Sequence, residues 1–350
     1  MKTVNIHASK CYCVNIGSGL MPALAQQIKS VCSSKKIALI SDTNVFPYYG
    51  ERTKSALEQN GFQVVSFVFP AGEESKNGST YLAILNFLAE NALTRTDALV
   101  ALGGGVVGDM TGFVAATYLR SIAYIQIPTT VLAAVDSSVG GKTAIDLPAG
   151  KNLAGAFYQP DLVLCDIDLL STLPEQIFID GCAEVIKYGI LYDAHLFSQL
   201  EAQGLNFDRE AIITRCVELK AQAVMQDEHD TGLRQKLNLG HTVGHAIERC
   251  SNYAISHGQA VAAGTAIIAR AAAAHQICSK ECTTKIENIL MQYGLPTRTD
   301  FSTEELVCRM LSDKKRAGSR INLILPTEIG NCIIHPIPVE ELKSFIEAGL

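Results

Sequence analysis

The chain has 350 residues, of which 48% are hydrophobic and 18% charged, with a net charge of -6. That is more chain than one hydrophobic core usually organises, so two domains are expected. The mildly acidic charge, without a basic block, speaks against a nucleic-acid or membrane-surface role, and an anionic ligand needs a local cationic pocket instead.

Met1 is followed by polar residues rather than an apolar stretch with a cleavage site, so a cytoplasmic protein is expected. The eleven cysteines are odd in number and form no C-x-x-C, which predicts reduced thiols rather than a zinc ribbon or a disulfide framework.

In chain order, the β-branched runs KIALISD, QVVSFVFP, DALVALGGG, IAYIQIPTT and DLVLCDI alternate with amphipathic stretches. That alternation predicts a mainly parallel α/β sheet. From about Pro174 the texture changes to long helical segments, among them EVIKYGILYDAHLFSQL, EAIITRCVELKAQAV and HTVGHAIERC. The run AVAAGTAIIARAAAAH from Ala260 is too short to span a bilayer and carries Arg270; its alanines predict a closely packed helix. Finally, RINLILPTEIGNCIIHPI reads as two strands around a turn, with a last helix after it.

In GGGVVGD, after the strand DALVAL, Gly103, Gly105 and Gly108 satisfy G-x-G-x-x-G. Backbone amides without side chains can approach a pyrophosphate there, at a helix N-terminus. The acidic residue expected about 20 positions on is absent, since Met110 to Val135 contains no Asp or Glu. A ribose would have to be held from other strand ends, where Asp42 and Glu73 stand; otherwise the glycines serve tight turns only. The loop DSSVGGKT fails as a Walker loop, because Asp136 occupies the position of its first glycine.

KLNLGHTVGHAIE places His241 and His245 four residues apart on one helix face. The spacing is that of H-E-x-x-H, but the glutamate is missing, so the pair is either structural or used by a different chemistry. A catalytic zinc commonly takes three N or O ligands. His257 in ISHGQAV and Glu184 in GCAEVIKYG, with Lys187 one turn on, are the candidates to complete a set. Each alone reads as an ordinary core histidine or solvated glutamate.

The segments GGGVVGDMTGFVAATYLR, IQIPTTVLAAVDSSVGGKTA, GKNLAGAFYQP, AEVIKYGI, GLRQKLNLGHTVGHAIE and SHGQAV occur in one order, with SDTN and GEESK upstream and DKK downstream. Together they resemble the dehydroquinate synthase family of the sugar-phosphate cyclase superfamily. The resemblance implies an α/β, Rossmann-like NAD-binding domain over residues 1–174 and a mainly helical metal- and substrate-binding domain over 175–350. It implies a homodimeric enzyme that binds NAD and zinc or cobalt and eliminates phosphate from a sugar phosphate. The family substrate is 3-deoxy-arabino-heptulosonate 7-phosphate, in the shikimate route to aromatic compounds. The implied course is transient oxidation, phosphate loss, re-reduction, ring opening and aldol closure, with the departing phosphate able to take the proton itself.

Carried over by matching motifs, the resemblance implies Glu184, His241 and His257 as metal ligands. His245 instead goes near the substrate phosphate, with Lys142, Asn152, Asn238 and either Lys314 or Lys315. Lys220 and Arg234 are implied for the substrate carboxylate, which a guanidinium suits well. Asp136 and Lys187 are implied for ring hydroxyls, and Arg120 as an arginine delivered from a partner subunit. Asp136, Lys142, Lys187, Asn238 and His245 form the implied catalytic group. For NAD the matches are Asp42, Glu73, Lys76, Gly104, Gly105, Asp109, Thr129, Thr130, Lys142 and Lys151.

Three positions depart from the family pattern. Asp230 and Gln259 stand where glutamate is usual, and Ser121 where glycine is usual. Two other readings compete: a cyclase whose substrate lacks a carboxylate, such as sedoheptulose 7-phosphate or glucose 6-phosphate, and a metal-dependent alcohol dehydrogenase of related architecture. A non-enzymatic metal- or nucleotide-binding protein on the same fold is a third.

Overall fold

The structure, a computed structural model, describes residues 1–314 and 319–350, the side chains of 312–314 excepted. The chain divides into two compact units, Met1–Pro174 with Arg209–His229, and Glu175–Asp208 with Asp230–Leu350.

The first unit opens with an antiparallel hairpin of β1 (Lys2–His7) and β2 (Cys11–Gly17), followed by α1 (Leu24–Val31). Then come β3 (Lys36–Asp42), α2 (Glu51–Gln59), β4 (Gln63–Phe69), α3 (Gly78–Glu90), β5 (Ala98–Gly103), α4 (Gly105–Thr117) and β6 (Ala123–Pro128). A separate hairpin, β7 (Lys142–Leu147) with β8 (Gly150–Phe157), precedes β9 (Leu162–Asp166).

The seven-stranded sheet runs β1-β2-β9-β6-β5-β3-β4, and every pairing except β1–β2 is parallel. All six residues of β5, ALVALG, are buried, as a strand covered on both faces requires. Alternate residues of β3 feed opposite cores. Ile37 and Leu39 pack with Leu24, Ile28 and Leu57 from α1 and α2, whereas Ala38 and Ile40 pack with Ile84, Leu88, Val107, Met110 and Val114 from α3 and α4. The connections therefore change face between α2 and α3, and the strand order reverses at β3 and β5. Open α/β sheets bind ligands beyond the strand C-termini at such a point.

The second unit begins with α5 (Glu175–Tyr192) and α6 (Ala194–Gln203). The next helix, α7 (Arg209–Gln226), belongs to the first unit, where it lies along β1 and β2 and against the turn Ala133–Ser137. Then follow α8 (His241–Cys250), α9 (His257–Ala274), α10 (Lys280–Gln292), α11 (Thr303–Lys314), the antiparallel hairpin of β10 (Arg320–Glu328) and β11 (Asn331–Pro338), and α12 (Leu342–Glu347).

Small residues let α8 and α9 touch backbone to backbone. A Cβ on Gly244 would stand 3.0 Å from the Ala260 carbonyl, and one on Gly264 would stand 2.8 Å from the Gly244 amide. The alanine-rich run is thus the closely packed helix its composition predicts. All eleven cysteines are free thiols. No helix among the described residues is long and apolar enough to cross a membrane.

Candidate active site

In the second unit three helices bring one carboxylate and two imidazoles together. Glu184 and Lys187 are three residues apart on α5 and form an ion pair, with Glu184 0% exposed. His241 opens α8 and His257 opens α9, so both rings sit at helix starts, fixed by the glycine contact between those helices. Each presents its Nε2 to Glu184 Oε1 at 3.4 Å. The ligand atoms of Glu184, His241 and His257 all lie within 4.8 Å of one another.

Neighbours orient both rings. His241 Nδ1 lies 3.0 Å from the Leu239 carbonyl, which can only accept, so Nδ1 carries the proton and Nε2 keeps its lone pair towards Glu184. His257 Nδ1 faces Glu248 Oε2 at 3.4 Å. Burial, with the Lys187 ammonium close by, pushes His241 down to about 3, leaving it neutral. Burial also opposes charge on His257, but its contacts with Glu184 and Glu248 outweigh that and carry it up to about 10, so an ion binding at Nε2 must displace a proton.

This donor set, one carboxylate oxygen and two imidazole nitrogens with outer partners on each ring, fits a zinc- or cobalt-type ion. His245, Glu248 and His257 also approach within 4.8 Å of one another, but His245 is exposed. The two histidines of the H-x-x-x-H spacing do share a face, their ring centroids 5.4 Å apart in an edge-on arrangement. Of the pair, His241 faces Glu184 at 3.4 Å, and His245 stands 4.0 Å from Glu248. Glu248 is the residue that pattern reading missed: it ends HAIE, where an acid on an amphipathic helix looks solvated, yet it is buried.

In the first unit, the glycine loop joins β5 to α4, with Gly104 as N-cap. None of Gly103, Gly104, Gly105 and Gly108 lies at positive φ, so the loop uses glycine for close approach and not for left-handed turns. A Cβ on Gly103 would stand 2.5 Å from Val107, and one on Gly108 2.8 Å from Gln126 of β6. The Thr129 amide donates to the Gly103 carbonyl at 3.0 Å, while Thr130 Oγ1 accepts from the Ala133 amide at 3.1 Å. Thr129 Oγ1 is buried and makes no hydrogen bond among the described residues, which fits a group approaching that loop with a polar atom.

Lys76 is the hub of the neighbouring cluster. Its ammonium donates to Asp109 Oδ2 and Asn152 Oδ1, each at 2.6 Å. Burial alone would lower Lys76, but Asp109 and Glu73 more than offset it and hold the ammonium charged. Asn152, at φ 56°, has its amide on Asp146 Oδ1 at 2.8 Å, and Asp146 in turn donates its amide to the Lys76 carbonyl at 2.7 Å. Lys151 stands 3.7 Å from Glu73. Asp42, at the end of β3, accepts through Oδ1 from the amides of Asn44 and Val45, each at 2.9 Å. Lys76, Asp109, Asn152 and Asp146 therefore form one hydrogen-bonded set, and Asp146 is a member that the motifs did not single out.

Other implied residues fall as follows. Lys220 of α7 is buried and pairs with both the carboxylate and the backbone carbonyl of Asp136. Lys142 is exposed at the start of β7, and Asn238 is half-buried at the end of the turn Leu233–Asn238. That same turn carries Arg234, which is only 2% exposed. Leu119, Arg120 and Ser121 are consecutive residues at positive φ (51°, 68° and 145°), so Ser121 adopts a conformation that favours glycine. The DKK lysines, Lys314 by its side chain and Lys315 entirely, lie outside the described residues.

A parallel sheet with its loops at the topological switch point, joined in sequence to a helical unit holding a Glu-His-His cluster, defines a dehydroquinate synthase-like cyclase fold. The solved structure of 2-deoxy-scyllo-inosose synthase with carbaglucose-6-phosphate, NAD+ and Co2+ superposes with a TM-score of 0.89 at 26% identity, covering 100% of both chains. The pattern of the 3-dehydroquinate synthase N-terminal family matches residues 66–180, and that of its C-terminal counterpart residues 181–316. The 3-dehydroquinate synthase of Pelobacter propionicus is 44% identical over 350 residues, covering 97% of each chain. That of Streptococcus thermophilus is 41% identical over 343 residues, covering 96% of this chain and 97% of its own. The chain belongs to the 3-dehydroquinate synthase family.

Proposed function

We propose that the chain is a 3-dehydroquinate synthase, a phosphate-eliminating carbon–oxygen lyase that converts 3-deoxy-arabino-heptulosonate 7-phosphate to 3-dehydroquinate and phosphate. The observation that carries the reading is the convergence of Glu184, His241 and His257 in a chain with full-length relatives of that name. A cytoplasmic homodimer, serving aromatic biosynthesis, is the setting the family suggests.

Glu184, His241 and His257 would hold a zinc or cobalt ion, and Asp42, Glu73, Lys76, Gly104, Gly105, Asp109, Thr129, Thr130, Lys142 and Lys151 would hold NAD. When bound, these groups supply polarisation of a substrate hydroxyl and a reversible hydride exchange.

The chain's own side chains then orient substrate and balance charge. Lys187, paired with Glu184, and Asp136, paired with Lys220, are assigned to ring hydroxyls. Lys220 and Arg234 match the positions that the family motifs give to the carboxylate, whose two oxygens the planar fork of the buried Arg234 guanidinium suits. His245, Asn238, Lys142, Asn152 and Lys314 or Lys315 match the positions that the family motifs give to the phosphate. Arg120 is assigned to a partner's site. With no glutamate between His241 and His245, proton removal is left to the departing phosphate.

A cyclase for a substrate without a carboxylate is disfavoured, since the solved cyclase named for such a product is 26% identical against 41–44% for the synthase relatives. The test compares phosphate release from 3-deoxy-arabino-heptulosonate 7-phosphate, sedoheptulose 7-phosphate and glucose 6-phosphate. Turnover of the first alone, with bulk NADH absorbance unchanged, is expected. Equal turnover of sedoheptulose 7-phosphate would sink the substrate assignment, and accumulating NADH would favour a dehydrogenase.

A further inference from the structure

Asp180 lies on α5 four residues before Glu184, hence on the same helix face. Its Oδ1 accepts from the Ser256 hydroxyl and from the Gln259 amide, the latter at 3.0 Å. Ser256 is the N-cap residue of α9, yet its hydroxyl makes no capping bond to its own helix. Asp180 does that work from a different helix. It satisfies an orphan amide in the first turn of α9 and places a carboxylate at the positive end of that helix.

An independent contact shows how close the two helices come: a Cβ on Gly258 would stand 2.7 Å from Asp180 Oδ1 and closer still to its backbone carbonyl. Ser256, Gly258 and Gln259 surround His257, the first residue of α9, whose Nε2 faces Glu184. One face of α5 therefore carries both the carboxylate His257 faces and the carboxylate that fixes the turn His257 stands on.

We infer that Asp180 is a positioning residue for the metal centre, setting the distance between His257 and Glu184 by holding the first turn of α9 against α5. It acts through its acceptor oxygen and touches no ion. The inference rests on the metal assignment made above.

The test measures Co2+ affinity by chelator competition, together with the visible spectrum of the bound Co2+, which reports ligand geometry. Asp180→Ala should weaken binding roughly 10- to 100-fold, the range for lost outer-shell partners of metal ligands, and alter the spectrum. Asp180→Asn keeps an acceptor oxygen and should retain most of the affinity. Ser256→Ala, which removes one of the two donors, is a milder variant expected to shift affinity in the same direction.

Wild-type affinity and spectrum in Asp180→Ala, or in Ser256→Ala where the first variant does not fold, would overturn the inference. So would Asp180→Asn behaving like Asp180→Ala, or a fall in thermal stability with Co2+ binding unchanged. His257→Ala separates the two layers. If it keeps Co2+, the metal assignment itself fails; if it loses Co2+ while Asp180→Ala keeps it, only the positioning role fails.

Discussion

His257 and Glu248 meet through the ring nitrogen that does not face Glu184, with Nδ1 3.4 Å from Oε2. The carboxylate fixes which nitrogen carries the proton and raises the donor strength of the other. Glu248→Gln keeps the shape and removes the charge. It should lower zinc affinity about 10-fold with the fold intact, as read by competition with a coloured chelator; unchanged affinity would show that Glu248 does not support the ring.

The pair Glu184–Lys187 is buried on both sides. Removing one partner of such a pair costs about 3–5 kcal/mol where nothing else compensates the charge left behind, and the charged His257 ring facing Glu184 holds the cost here to the low end of that range. Lys187→Met should therefore destabilise the metal-free protein by that order in urea unfolding. With zinc bound the loss should be smaller, because the cation compensates Glu184. Equal losses in the two states would contradict a metal at Glu184.

Gly264 allows α9 to sit on the backbone of α8, where an added methyl would meet the Gly240 carbonyl and the Gly244 amide. Since neither can move without its helix, Gly264→Ala should cost about 1–3 kcal/mol of stability. It should also weaken metal binding, because His241 begins the displaced helix. A variant with wild-type melting temperature and zinc affinity would show that the helices yield freely.

Thr129 Oγ1 is a buried hydroxyl beside the glycine loop. Replacing an unsatisfied buried polar group by an apolar one of the same shape is nearly neutral or stabilising. Thr129→Val should leave the melting temperature of the cofactor-free protein equal or higher, yet raise the NAD dissociation constant several-fold, by about 1 kcal/mol for one lost hydrogen bond. Titration calorimetry showing unchanged NAD affinity would remove Thr129 from the cofactor site.

The parallel strands were readable because β3, β5 and β9 are unbroken apolar runs ended by polar or glycine residues. The hairpin of β7 and β8 was not: β8, GKNLAGAF, is rich in glycine and alanine and gives no strong period. The β1–β2 hairpin also escaped notice, its strands being interrupted by polar residues. In the metal cluster, motif matching named Glu184, His241 and His257, which the structure brings together. It could not name Glu248 or Asp180, whose roles depend on how α8 and α9 pack on their neighbours and not on sequence spacing. Lys220 and Asp136 were both named by their motifs, but not as a pair, since 84 residues separate them.

Incubating the purified protein with 3-deoxy-arabino-heptulosonate 7-phosphate, NAD and zinc, and identifying the carbon product by NMR, decides whether the chain is a 3-dehydroquinate synthase. 3-Dehydroquinate and inorganic phosphate are expected in equal amounts, with no accumulated NADH, and with loss of both products after chelation and recovery on adding zinc or cobalt. Phosphate release that survives complete chelation, or an oxidised sugar phosphate accompanied by NADH, would contradict that assignment.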